Sequence, residues 1–245
     1  MRFSKLKLWF LLFGIGFGGI LSILLMKISL PESLLGSIPK TISDFELKLL
    51  LLINPTILLI ILITIGVLLY DKVNLKLPFF ERLVGKNTIL EKNIFSYGIS
   101  GGIISAVCAF LVFLIFQNYV PISLLQNEMN PITRFLYGGI TEEILVRFGI
   151  MTLFVWIFSK IFKSQKNYIF WFGIIISSII FGILHLPIVI ISLNGAITWQ
   201  LIGYIIFGNA IVGVVFGYLY FKKGLETAMI AHIVTHIVFI IYGIL

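Results

Sequence analysis

The sequence predicts an all-α fold: a multi-spanning bundle of about seven membrane helices, with a polar intramembrane site in its C-terminal half. Three observations predict it. Hydrophobic residues make up 60% of the 245 and charged residues only 11%, at a mean hydropathy of +1.13, whereas a soluble domain is about a quarter charged. Seven runs approach the ~20 apolar residues that a helix needs to cross a bilayer. The later runs contain six groups that lipid does not tolerate: Glu142, Glu143, Arg147, His185, His232 and His236.

The runs fall at residues 8–26, 49–70, 94–116, 132–158, 168–193, 197–221 and 225–244. They leave no room for a separate soluble domain, so 1–245 reads as a single transmembrane domain, with a helical scaffold over 1–131 and a functional core over 132–244. The first run follows a basic stretch, as a signal peptide would. It is long and lacks a small-x-small cleavage site before Lys27, which makes it a retained anchor. The first three runs have no ionisable residue in their interiors. Their glycine pairs, Gly14 with Gly18 and Gly98 with Gly102, have the spacing of close helix packing. Between the second and third runs, residues 71–93 form the longest charged stretch. Pro78, Phe79 and Phe80 within it are compatible with an interfacial piece, although a solvated loop is the expectation.

The net charge of +8 does not point to nucleic acid, because the basic residues lie between the runs and form no stripe. Alternate connections divide them thirteen to four: Arg2, Lys5, Lys7, Lys72, Lys76, Arg82, Lys86, Lys92, Lys160, Lys163, Lys166, Lys222 and Lys223 against Lys27, Lys40, Lys48 and Arg134. The positive-inside rule then puts the N-terminus in the cytoplasm and the C-terminus outside, in a multi-pass protein of the cell membrane. Trp9, Trp156, Trp171 and Trp199 near the run ends fit an aromatic belt. Lone Cys108 carries no chemistry.

The fourth helix is expected to begin at Pro131, since proline at the first helical position loses no intrahelical bond. Within it, Glu143 and Arg147 are four residues apart and share a face, so they can neutralise each other. Glu142 is rotated about 100° from Glu143 at ~3.6 residues per turn and looks elsewhere. One acid is thus bound to a structural partner and the other is available. The fifth helix carries Phe181 and His185, followed by Pro187; a lone histidine there would be an ordinary core group. The last helix changes that reading, because His232 and His236 lie one turn apart, and all three histidines of the chain then fall in membrane runs.

These residues resemble the CAAX protease and bacteriocin-processing family of intramembrane proteases. Glu142, Glu143 and Arg147 look like its EExxxR motif, Phe181 and His185 like FxxxH, and His232 like HxxxN with His236 where asparagine is usual. The likeness covers 132–244. It implies hydrolysis of a peptide bond within the bilayer, in a hydrophobic or lipidated peptide or protein. By resemblance, Glu142 would activate water, His185 would assist it, and His232 with His236 would stabilise the oxyanion, while Glu143 and Arg147 support the site. Membrane lipid is the other partner. The family's roles include CAAX-type processing and bacteriocin self-immunity.

His236 departs from the pattern. Histidine can keep the donor role with added pH sensitivity. Glu142, His185, His232 and His236 also compose a three-histidine, one-carboxylate set for Zn2+, so no cofactor and a zinc ion are both open from sequence. A non-catalytic immunity or scaffold protein and an ion or proton transporter are the competing readings, since buried Glu/His chains also serve as relays.

Overall fold

The apolar runs become helices because a helix alone satisfies every backbone N–H and C=O within a single segment in lipid. A computed structural model describes residues 2–26, 43–90, 92–125 and 130–242, and among these no strand occurs. Lys27, Lys40 and the final turn expected through Ile244 lie outside the described residues. The elements that matter are α1 (Arg2–Leu21), α2 (Asp44–Leu69), α3 (Pro78–Leu83), α4 (Ile94–Phe116), α5 (the span Pro131–Ile161), α6 (Asn167–Leu184), α7 (Trp199–Lys223) and α8 (Leu225–Tyr242). Seven helices are long and apolar enough to cross a membrane, as expected from the sequence. The chain is an all-α, multi-spanning integral membrane protein.

The span α5 is the most buried of the seven, with α8 next. It packs against α1, α2, α6 and α8, while α7 lies across α4, α6 and α8. The two helices that carry most of the polar motifs are therefore the interior ones. Thr133 and Thr141 of α5 donate to the carbonyls of Ser22 and Gly16, at 2.8 Å each, which bolts the N-terminal helix to the central one.

The glycine register of α1 differs from the expected one. Gly14 and Gly18 face open space, and the close approach is made instead by Gly16 and Gly19: a Cβ on Gly19 would lie 2.0 Å from Thr141 Oγ1 and 2.4 Å from the Leu136 carbonyl. Spacing alone cannot tell which of two interleaved small-residue faces meets a partner. In α4 the expected pair does pack, with Gly98 against Ile230 and Gly102 against the Ala231 carbonyl of α8.

The stretch 71–93 is a folded connector. Pro78, Phe80 and Glu81 of α3 are buried, and the Phe80 N–H donates to Glu226 at 3.0 Å. Glu226 thereby ties α8 to α3. Leu225 N–H donates to the Lys76 carbonyl at 3.3 Å, and Asn74 donates to Gln165 at 2.7 Å. These bonds gather the connectors after α2, α5 and α7 at one end of the bundle, the end that holds most of the lysines.

Candidate active site

Residues Arg134–Glu142 and Ile144–Met151 of α5 are π-helical, where an ordinary α-helix was expected from the sequence. The i→i+5 bonding of a π-helix is rare in long runs and is often found at functional sites. Close approaches on both sides of α5 offset its poorer backbone geometry. Gly138 faces the His236 ring, Gly139 faces Ile233, and Gly149 faces Leu62. Nothing in the local sequence announces such turns, because the contacts that sustain them come from α1, α2 and α8.

The two glutamates still diverge. Glu143 is fully buried; its Oε2 lies 3.3 Å from Arg147 Nε, an ion pair without hydrogen-bond geometry. Its Oε1 lies 3.0 Å from His232 Nδ1. Glu142 is only partly buried and makes no hydrogen bond or ion pair with a described residue. The free acid and the engaged acid expected from spacing are both present, and the engaged one has a second partner, His232.

Arg147 is held by more than its carboxylate. Its guanidinium carbon lies 5.0 Å from the Phe181 ring and 5.9 Å from the Phe216 ring, within cation–π reach. Gly213 makes room for it: a Cβ there would meet Arg147 Nη2 at 3.1 Å and Ser178 Oγ at 3.0 Å. Gly213 and Gly217 thus serve packing. The Asn209 amide donates to the Ile205 carbonyl one turn back in α7.

The FxxxH spacing has a structural cause. Helix α6 ends at Leu184, because Pro187 lacks the N–H to continue it and restrains the residues before it. His185 sits at that break, and its N–H bonds the Gly182 carbonyl at 3.2 Å. The Phe181 carbonyl is instead taken by His185 Nδ1 at 2.8 Å, and the Phe181 ring meets the imidazole edge-on at 4.6 Å. A carbonyl only accepts, so Nδ1 carries the proton and Nε2 keeps its lone pair.

His232 is fixed by the same logic. Its Nδ1–H donates to Glu143, and its ring stacks on Phe216 at 4.6 Å and meets the Phe181 ring edge-on at 6.1 Å. These contacts bring the three motifs together in one cluster. His236 stacks on His232 at 4.9 Å. Both its ring nitrogens are buried without a hydrogen-bond partner, and a Cβ on Gly138 would lie 2.6 Å from its Nε2.

The donor set for a metal does not assemble. Among the described residues no three His, Cys, Asp or Glu side chains are arranged to hold one. Phe216, Ser178, Gly138 and Thr141 belong to the site's surroundings and were not singled out from sequence. Only helical spacing from a motif residue could have flagged them, Thr141 as the neighbour of Glu142 foremost.

Residues 125–238 match the model of the Rce1-like family, described as type II CAAX prenyl endopeptidase Rce1-like. Through this segment the chain is similar to that family. The matched stretch takes in all six polar residues and nearly coincides with the 132–244 resemblance read from the motifs. No curated protein and no solved structure matches the chain. The family that this segment resembles is described as one of CAAX prenyl endopeptidases, which are hydrolases.

Proposed function

We propose that this protein hydrolyses a peptide bond in a hydrophobic or lipidated peptide at a water-accessible site within the bilayer. The observation that carries the reading is the division of labour between adjacent acids: Glu143 is consumed by Arg147 and His232, and Glu142 beside it has no hydrogen-bond or ion-pair partner among the described residues. A carboxylate with no partner can take a proton from water as that water attacks. The new C–O bond forms while the carbonyl oxygen takes up the electron pair. Collapse then breaks the C–N bond, and the proton held by Glu142 passes to the leaving amine. General acid–base catalysis of this kind contributes roughly 10² to 10⁴-fold.

His185 offers an Nε2 lone pair because its Nδ1–H is committed to Phe181, which suits it to orient the attacking water. His232 in its neutral form directs its proton at Glu143, so its Nε2 donates to an oxyanion only when the ring carries both protons. The partnerless nitrogens of His236, beside His232, supply the remaining donor. A fixed donor at an oxyanion is worth about 2.7 to 4 kcal/mol. No step of this reaction passes through a metal.

The positive-inside distribution assigns the lysine-rich end to the cytoplasm, in the cell membrane. Carrying out the reaction in heavy-oxygen water tests the chemistry: the new carboxyl terminus gains heavy oxygen if water is the nucleophile. Product lacking it overturns the hydrolytic reading.

A further inference from the structure

Helix α3 is amphipathic in an unusual sense. Its buried face holds the acid, Glu81, which accepts from the Tyr70 hydroxyl at 2.9 Å and pairs with Lys86 at 2.8 Å. Burial works against the charge of Lys86, but its bonds to Glu81 and Tyr70 outweigh that and hold it above the ordinary lysine range. The outward face holds Phe79, Arg82 and Leu83, residues one turn apart; Phe79 is 46% and Leu83 58% exposed. Thr88 ties the following loop to the Pro78 carbonyl at 2.9 Å. Beyond it, Ile89 stands 96% exposed.

Among the described residues, the other acids at this end are also engaged internally. Asp71 pairs with Lys5 at 2.7 Å, and Glu226 caps the Phe80 N–H. Meanwhile Lys72, Lys76, Arg82, Lys92, Lys163 and Lys166 are all exposed. The two connectors that carry them are joined by Asn74 to Gln165 and by Gln165 to the Lys72 carbonyl at 3.0 Å. Spans end at Val73 and resume at Ile94 and Asn167, so this cationic surface with apolar tips lies where the chain enters and leaves the bilayer.

We infer that the face formed by α3, residues 84–90 with Lys92, and the 163–166 turn docks onto an anionic bilayer surface, with Phe79, Leu83 and Ile89 entering the headgroup layer and the exposed Arg82 and lysines meeting lipid phosphates. A basic face carrying apolar tips is the composition that seats in such an interface, and each basic group near an anionic surface adds attraction that salt screens. The connector expected from its sequence to be a solvated loop is instead a lipid-facing clasp. The latch from Phe80 to Glu226 holds it against the start of α8, the helix of His232 and His236. The inference is independent of the peptidase reading.

The test uses the full chain in nanodiscs of phosphatidylcholine alone or mixed with phosphatidylglycerol. Leu83→Cys in a Cys108→Ala background carries a fluorophore, quenched by aqueous acrylamide or by a nitroxide on the lipid near its headgroup. The expected result is quenching by the lipid nitroxide and protection from acrylamide, stronger with phosphatidylglycerol and weakened by salt. Arg82→Gln and Lys92→Gln, both at exposed positions, each lower phosphatidylglycerol binding about five-fold, the equivalent of about 1 kcal/mol, with thermal unfolding unchanged. Quenching by acrylamide in both lipids, or lipid quenching indifferent to phosphatidylglycerol and to these two substitutions, overturns the inference.

Discussion

Glu143 takes the Nδ1–H of His232 on one oxygen at 3.0 Å and faces Arg147 with the other at 3.3 Å, so a single buried carboxylate sets the tautomer of a histidine on α8 and neutralises a guanidinium on its own helix. A partner removed from such a triad leaves a buried charge uncompensated, which costs about 3 to 5 kcal/mol. Arg147→Met alone is expected to destabilise the protein by that order, and Arg147→Met with Glu143→Gln by less than the sum of the two single changes. Thermal unfolding of the four proteins in detergent checks this. The double variant is expected to fold with lowered activity, because the neutral amide that replaces the Glu143 carboxylate is a weaker acceptor for the His232 Nδ1–H that it orients.

Thr141 adjoins Glu142, and its hydroxyl donates to the Gly16 carbonyl of α1. That bond, with the close approach at Gly19, fixes the π-helical turn that presents Glu142. Thr141→Val is expected to lower turnover while Thr141→Ser retains it, at a stability cost of about 0.5 to 1.5 kcal/mol for the lost hydrogen bond. Gly19→Ala meets the Thr141 side chain and the Leu136 backbone, and overpacking of this kind costs roughly 1 to 3 kcal/mol. Gly18→Ala, on the open face, is the control and is expected to be neutral.

Much of this arrangement is legible in the sequence, for reasons that differ by residue. The seven spans follow from hydropathy, since lipid imposes one rule on every segment. The separation of Glu142 from Glu143 follows from helical spacing, and it survives the change from α to π turns because adjacent residues point apart in either. The bond from Glu143 to His232 joins residues 89 apart in the chain, and no local pattern encodes it. The choice of Gly16 and Gly19 over Gly14 and Gly18 likewise depends on which face α5 occupies. From sequence the fifth helix runs through Pro187 to residue 193; the break at His185, and the freeing of the Phe181 carbonyl for the imidazole, required the backbone.

His236 stands where the family motif has asparagine, with both ring nitrogens buried and unbonded. His236→Asn is expected to retain activity, because an amide also offers an N–H donor at this position. His236→Phe keeps the ring but removes the donor and is expected to lose about 10² to 10³-fold in turnover. Gly138→Ala should mimic part of that loss by displacing the imidazole. Rates across pH for these three variants check the assignment.

Metal analysis tests the zinc set that the same residues compose on paper. Purified protein is expected to hold well under one equivalent of zinc and to keep its activity in the presence of chelators. Stoichiometric zinc, with activity lost on chelation and restored by the metal, would require Glu142, His185 and His232 to move together into a ligand set.

The most direct measurement of the central claim compares peptide termini, by quantitative mass spectrometry, in membranes from cells expressing the wild type or Glu142→Gln at matched levels. New termini present only with the wild type, and reproduced by the purified protein, are the predicted result. Termini that match between the two, under conditions where the wild type is functional, would contradict it, because a protein that needs no general base is not the hydrolase described above.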